Sequence, residues 1–412
     1  MSLGFSLLER ALTPIVTSGS LEMIAPSGRR FVLGDESGPP VVVRFSDNAA
    51  IWALLLDPDL RMGELYSDGR LTLDSGDILD FLDLVLRNAN DVRPSLPVRL
   101  VDRARTAVQL WGQRNDPGRS RRNVAHHYDL GDELYALFLD PDWQYSCAYF
   151  EHPGQSLEEA QLAKKRHIAA KMCLAPHHRV LDIGCGWGGM ALYLAQVADV
   201  AHVLGVTLSS EQIERARRRV EPGLASRVRF ELTDYRAVKE QFDRIVSVGM
   251  FEHVGLGHYE EFFATCRERL TPDGVMLLHT IGCSDAPSVT NPWITKYIFP
   301  GGHLPSLSDI LKAVERNDLI VTDIEILRLH YAQTLAAWRA NFLARRDEAA
   351  RLFDERFCRM WDYYLAMSEA AFRYENVVVF QLQITRRQDA APLKRDYVRD
   401  AEDRLRDREN AA

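Results

Sequence analysis

The sequence predicts an α/β protein built on an open, mostly parallel seven-stranded sheet and preceded by a small α+β domain. Two observations carry this. From Arg179 onward short apolar runs alternate with helical patterns, the signature of a parallel sheet covered on both faces. Ahead of residue 90 the runs are shorter, and Ser-Gly and Gly-Pro-Pro turns punctuate them. A third observation points to where the sheet works: Val180-Leu-Asp-Ile-Gly-Cys-Gly-Trp-Gly-Gly-Met190 reads as strand, tight turn and helix.

In the N-terminal domain, residues 1–110, Phe5 to Ile15 reads as an amphipathic helix. Gly19–Ile24, Arg30–Leu33 and Val41–Phe45 read as strands, and Ala49–Leu56 and Ile78–Asn88 as helices. Glu64–Ser67 and Arg70–Leu73 look extended. This domain has no acid–base constellation and no metal-ligand spacing, so a dimerising or lipid-docking role is expected. Residues 111–122 are polar, contain Asn-Asp-Pro-Gly, and read as a linker. A catalytic domain is expected over 123–390, then a charged tail, 391–412, as a surface helix or disordered segment.

The catalytic domain opens with His126-His127-Tyr128-Asp129 and Gln144-Tyr-Ser-Cys-Ala-Tyr-Phe150. That mixture suits either a pocket with an apolar wall and placed polar groups or a loop covering the sheet. In the helix Ser156–Met172, Lys164, Lys165, Arg166 and Lys171 read as a solvated face or a basic membrane patch. The strands follow as Val180–Ile183, His202–Val206, Val228–Leu232, Asp243–Val248, Val275–Ile281, Ile320–Leu329 and Val377–Ile384. The insertion Gly282–Leu311, with Trp293, Tyr297 and Phe299-Pro-Gly-Gly302, is expected to be a substrate lid rather than a packing ornament. A long aromatic helical stretch runs from Ala337 to Phe372.

Ligands of an open parallel sheet bind beyond the carboxyl ends of its strands. After the first strand, Asp182 with Gly184, Gly186 and Gly188 resembles the cofactor turn of class I S-adenosylmethionine-dependent methyltransferases. It fits a nicotinamide fingerprint less well, because the next strand ends in Thr207 rather than an acid. Thr207, Leu208 and Gln212 then fall where the ribose is held, and Asp234 and Tyr235 where adenine is clasped. Glu252 and His279 follow the next two strands. Singly they read as a surface acid and a core histidine; together beside a methyl-donor turn they read as one pocket.

Bulk properties exclude other classes. The net charge of −8 argues against a nucleic-acid binder. Six scattered cysteines without a Cys-x-x-Cys pair argue for a reducing compartment and against a disulfide framework or zinc site. Met1 to Val16 lacks the features of a signal peptide, and no run approaches the roughly 18 apolar residues of a membrane span. A cytoplasmic protein with at most peripheral membrane contact is expected.

Taken together, the motifs resemble the cyclopropane-fatty-acyl-phospholipid synthase family of two-domain bacterial type. The matching pieces are His127-Tyr-Asp129, Gln144 to Phe150, the glycine turn, Val206-Thr-Leu-Ser209 with Gln212, Gly249-Met-Phe-Glu-His-Val-Gly255, His279-Thr-Ile281, Phe299 to Gly302 and His330-Tyr331 with Thr334-Leu335. The resemblance implies transfer of a methylene from S-adenosylmethionine across a cis double bond of unsaturated phospholipid acyl chains. It implies a homodimer peripheral on the inner face of the cytoplasmic membrane. It further implies a bound bicarbonate as base, held by Cys147, Glu252, His279, the Ile281 backbone and Tyr331, with Gly249 nearby. Tyr128 and Tyr145 would lie near the sulfonium, with Ser146 also at the cofactor. An alternative ending leaves a methyl-branched or methylidene chain, and a lipid-binding protein with a dead cofactor fold is disfavoured by the intact set. Trp143 and Ser368 depart from the family, the first where methionine is common, the second where several members carry cysteine.

Overall fold

A computed structural model describes residues 3–89, 131–285 and 290–411. Tyr128, His126, His127 and the expected linker 111–122 lie outside them. In chain order the elements are α1 (Leu3–Leu12), β1 (Leu21–Ile24), β2 (Arg30–Leu33), β3 (Val41–Phe45), α2 (Asn48–Leu56), α3 (Pro58–Ser67), β4 (Leu71–Ser75) and α4 (Ile78–Ala89). Then come α5 (Asp132–Phe138), α6 (Leu157–Lys171), β5 (Arg179–Ile183), α7 (Gly189–Gln196), β6 (His202–Thr207), α8 (Ser210–Arg218), β7 (Val228–Leu232) and β8 (Phe242–Val248). The rest are α9 (Tyr259–Arg269), β9 (Leu270–Cys283), α10 (Pro292–Tyr297), α11 (Leu307–Glu315), β10 (Ile320–Leu327), α12 (His330–Ala344), α13 (Arg346–Leu352), α14 (Glu355–Tyr374), β11 (Val377–Thr385) and α15 (Asp396–Glu409).

The described residues form two compact units, and the division differs from a single cut at 111–122. The first unit takes Met1–Gly112, Val289–Phe299 and Leu335–Val377; the second takes the rest. The reason lies at α3. Asp57 caps this helix through the Leu60 amide, with Pro58 in its first turn, so Glu64–Ser67 is helical rather than extended. A β-carbon on Gly63 would lie 2.4 Å from the Tyr363 ring and 2.5 Å from Trp293 Nε1, so only glycine admits both aromatics. Glu64 then accepts from Lys296 at 2.7 Å and from Tyr297 at 2.8 Å. Part of the insertion therefore packs within the first unit, with Trp293 fully buried, which corrects the expectation of a lid for that segment. Ser368 lies on α14 in this same unit.

The second unit holds the seven expected strands in the order β10-β11-β9-β8-β5-β6-β7. β5 pairs in parallel with both β6 and β8, while β10 and β11 are antiparallel. Period-2 alternation splits the strand side chains between two cores. Leu181, Ile183, Leu204, Val206, Ile245, Met276 and Leu278 enter one; Val180, Val203, Val246 and Leu277 enter the other. Strand order reverses at β5, with β6 on one side and β8 on the other, which opens a crevice at their carboxyl ends.

Helix α6 overturns the expectation of a solvated basic face. Lys164, Lys165, Arg166 and Lys171 are 1%, 8%, 6% and 0% exposed. Acids from distant sequence make this possible. Lys165 donates to Asp142 at 2.6 Å, and Arg166 to Glu409 at 2.7 Å and Glu151 at 3.0 Å. His167 meets Glu402 at 2.6 Å and Glu325 at 2.9 Å, and Lys171 also pairs with Glu325. Glu402 and Glu409 belong to α15, so the charged tail is a docked helix, anchored by buried Val398 and Leu405. Glu409→Gln would leave Arg166 with Glu151 as a carboxylate partner, so the expected cost is that of a weakened charged hydrogen bond, about 2 kcal/mol. Glu409→Gln is therefore expected to lower stability by about that amount in urea unfolding; an unchanged midpoint would show that α15 is not needed to neutralise Arg166.

Candidate active site

β5 ends at Ile183, and the chain turns through Gly184, Gly186 and Gly188 at φ of 80°, 53° and 85°. The amides of Gly184 and Cys185 donate to the Val206 carbonyl at 2.9 and 3.0 Å, which ties the turn to β6. At Gly186 an added β-carbon would meet nothing within 4 Å, so the left-handed backbone borders open space where a ligand can approach. Gly188 does something else. A β-carbon there would stand 2.6 Å from the Phe230 ring, so its absence lets α7 pack on the sheet.

A cavity opens over this turn. All the expected cofactor residues except Gly188 line it: Tyr145, Ser146, Asp182, Gly184, Gly186, Thr207, Leu208, Gln212, Asp234 and Tyr235. Thr207 donates to the Gln212 side-chain oxygen at 3.1 Å, which holds the two ribose candidates in one arrangement. Asp234 is less free than expected, since Arg236 donates to its two oxygens at 2.9 and 2.7 Å. Trp143, with φ of 59°, also borders the cavity, and the Arg215 guanidinium carbon stands 3.4 Å from its ring centre. This departure thus falls at the cofactor turn.

Lys164, expected on a solvated face or membrane patch, belongs instead to the cavity. It lines the cavity and donates to Gln144 Oε1 at 2.5 Å and Ser146 Oγ at 2.8 Å. Burial pushes its pKa down to about 8, against the pull of Asp140. The signal was its helical spacing, four residues from the fully buried Ala160 and Ile168. Asp182 feels the same lysine, yet burial dominates and raises its carboxyl to about 7, with Oδ2 buried and without a partner.

The expected catalytic residues fall into two linked groups. In the first, the Gly249 amide donates to the His279 carbonyl at 2.9 Å, and the Ile281 amide to Glu252 Oε1 at 2.6 Å. Glu252 is buried, its Oε2 has no partner, and burial raises its pKa to about 7 against the opposing Ile281 hydrogen bond. His279 is held well below its usual range by burial, with Lys164, Lys171 and His167 adding repulsion. In the second group, Ala148 donates to Thr334 Oγ1 at 3.0 Å and Phe150 to His330 Nδ1 at 3.0 Å. These bonds bring the Cys147 loop to the start of α12, where Tyr331 is buried. Burial pushes the Cys147 thiol far up, so it is neutral, and it donates to the Ala148 carbonyl at 3.3 Å. The groups adjoin: a β-carbon on Gly249 would lie 4.0 Å from Ser146 Cβ, next to Cys147.

The strand order, the glycine turn and the cavity beyond the carboxyl ends define a class I S-adenosylmethionine-dependent methyltransferase. The family model described as mycolic acid cyclopropane synthetase matches residues 115–382. The cyclopropane-fatty-acyl-phospholipid synthase of Escherichia coli (strain K12) is 42% identical over 347 residues, covering 84% of this chain and 88% of its own. The tuberculostearic acid methyltransferase UfaA1 of Mycobacterium tuberculosis is 42% identical over 318 residues, 74% of this chain and 72% of its own. Among solved structures, mycolic acid cyclopropane synthase CmaA1 complexed with SAH and CTAB superposes with a TM-score of 0.60 at 36% identity, covering 64% of this chain and 97% of that one. The chain belongs to the mycolic acid cyclopropane synthetase family.

Two raised carboxyl groups each add a pH dependence of defined sign. Asp182 and Glu252 ordinarily titrate at 3.8 and 4.5 and sit at about 7 here. Between those limits each of these two groups binds more protons in the folded protein than in the unfolded chain, so its contribution to stability falls as pH rises and is lost above about 7. The histidines His178, His253 and His279, held below their ordinary value, act in the opposite sense below about 6.5. Glu252→Gln is expected to remove one falling contribution, so that urea midpoints fall less, or rise more, between about pH 5 and about pH 7 than in the wild type. A slope equal to that of the wild type would show that Glu252 ionises normally in the folded protein.

Proposed function

We propose that the protein transfers a methylene group from S-adenosylmethionine to the cis double bond of unsaturated phospholipid acyl chains, forming cyclopropane fatty acids. The observation that carries this reading is Glu252, a buried carboxyl group with one oxygen on the Ile281 amide and the other without a partner. When bound, S-adenosylmethionine supplies an electrophilic methyl group. Adding that methyl to an alkene leaves a cation on the neighbouring carbon, and closing the ring removes a proton from the methyl. The site must therefore exclude water, orient the alkene and provide for a base.

The residues suit these tasks. Asp182, with an unpartnered oxygen, and the Gly184–Gly186 turn hold the amino-acid end of the cofactor. Thr207, Leu208 and Gln212 hold the ribose, and Asp234 and Tyr235 the adenine. Tyr145, set edge-on to Tyr135 and Phe138 at 5.3 and 6.0 Å, presents an aromatic wall where positive charge develops. The resemblance adds Tyr128 there. Because Oε1 of Glu252 accepts the Ile281 amide, its proton belongs on Oε2, which makes that oxygen a donor to a small oxyanion. Neutral Cys147, His279 and Tyr331, beside Gly249 and the Ile281 backbone, complete a donor set that fits bicarbonate, and Lys164 adds a favourable field. Bicarbonate, when bound, supplies the base.

The reading extends to peripheral contact with the inner face of the cytoplasmic membrane and to a homodimer. Leu3, Leu7, Trp52 and Leu56 are exposed on α1 and α2 and support the lipid contact. No helix of the described residues is long and apolar enough to cross a membrane. The relative named tuberculostearic acid methyltransferase, equal in identity to the Escherichia coli protein, favours a second ending in which the chain keeps a methyl-branched or methylidene group.

Incubation with S-adenosylmethionine and vesicles of monounsaturated phospholipid, followed by fatty-acid analysis, is expected to yield cyclopropane chains. A branched or methylidene chain would establish the second ending, and absence of any lipid product would contradict both. Glu252→Gln is expected to cut turnover by about 100-fold or more while leaving the dissociation constant for S-adenosylmethionine within about twofold. Near-normal turnover would remove Glu252 from the mechanism.

A further inference from the structure

Gln381 on β11 is fully buried, and its amide lies between two side chains of unequal chemistry. Lys171 Nζ is 2.8 Å from the amide oxygen. An ammonium group only donates, so the oxygen must face Lys171 and the NH₂ must face the other way. There Nε2 meets His279 Nδ1 at 3.1 Å. The amide nitrogen only donates, so Nδ1 is the acceptor and carries no proton. A neutral imidazole with bare Nδ1 carries its proton on Nε2. The reversed amide would set NH₂ against ammonium in a fully buried site, leaving the amide donor that faces Lys171 without an acceptor.

Lys171 is itself held in place. It pairs with Glu325, and Asp323 stands 3.8 Å from its nitrogen. Glu325 also takes His167 at 2.9 Å and Arg395 at 2.7 Å. A chain of fixed polarity thus runs from β10 through α6 and β11 to the active-site histidine on β9.

We propose that Gln381, oriented by Lys171, is a positioning residue that sets His279 as an Nε2–H donor in the active site. What His279 donates to, a small oxyanion, rests on the function proposed above; the tautomer does not. A histidine with the opposite tautomer would turn a bare nitrogen toward an anion, where it repels rather than binds. The Gln381 amide therefore selects between a donor and an acceptor at the same ring position.

Histidine ring ¹⁵N spectra of the full chain read the protonated nitrogen, with the His279 signals assigned by their loss in His279→Asn. The wild type is expected to show Nε2–H. Gln381→Glu keeps the shape and the Lys171 contact but offers Nδ1 an acceptor, so the proton is expected to move to Nδ1. With S-adenosylmethionine and monounsaturated phospholipid vesicles, kcat of Gln381→Glu is expected to fall about tenfold or more, with KM for S-adenosylmethionine within about twofold. Nδ1–H in the wild type overturns the proposal, and that spectrum decides even where the variant fails to fold. So does a folded Gln381→Glu with the wild-type tautomer or full activity. A wild type that shows Nε2–H yet makes no lipid product overturns the functional reading and leaves the positioning role standing.

Discussion

Arg166, bonded to Glu409 and Glu151, stands in the middle of a row of basic side chains buried on α6. Burying one such charge alone costs several kcal/mol, and pairing offsets it only where the geometry is good. Here the acids arrive from the loop before α6, from the edge strand β10 and from α15. Lys164 is the exception, because its hydrogen bonds go to Gln144 and Ser146 and not to a carboxylate. Burial depresses its pKa to about 8, and its charge is felt at Cys147, Asp182 and His279. One face of the helix supports the fold, and Lys164 polarises the site.

The same arrangement resolves an electrostatic conflict within the proposed mechanism. An anion beside an ionised glutamate would be repelled, but Glu252 is buried enough to stay protonated up to about neutral pH. Cys147 and His279 are likewise held neutral by burial. These three groups thus carry no negative charge, and Lys164, whose pKa burial lowers, is felt at Cys147 and His279. Placement of these groups follows from β8 and β9. Their parallel register brings Val248 opposite His279, and the Gly249 and Ile281 amides then tie the two strand ends together.

The seven strands and the glycine turn were legible because their signals are local: period-2 apolar runs, and glycines whose spacing shapes the turn. Glu252 and His279 were legible as neighbours because strand ends converge in an open parallel sheet. What the residues alone could not show was long-range. The basic residues of α6 looked solvated because Glu325, Glu402 and Glu409 lie far along the chain. Gly186 and Gly188 look alike in sequence, and only Phe230 tells the packing glycine from the one that borders the cavity. Gly63 looked ordinary until Trp293 and Tyr363 were seen to occupy the space of its missing side chain. Gln381, at an unremarked position in an apolar strand, gains meaning only from Lys171 and His279 on either side.

The fate of the transferred methyl hydrogens tests the central claim most directly. With S-adenosylmethionine carrying a trideuteromethyl group and a monounsaturated phospholipid, ring closure expels one deuteron and leaves two in the product. Mass spectrometry of the released fatty acids is expected to show a saturated cyclopropane chain bearing two deuterons. A chain that retains all three would contradict the account, because the site would then transfer a methyl group without taking a proton from it.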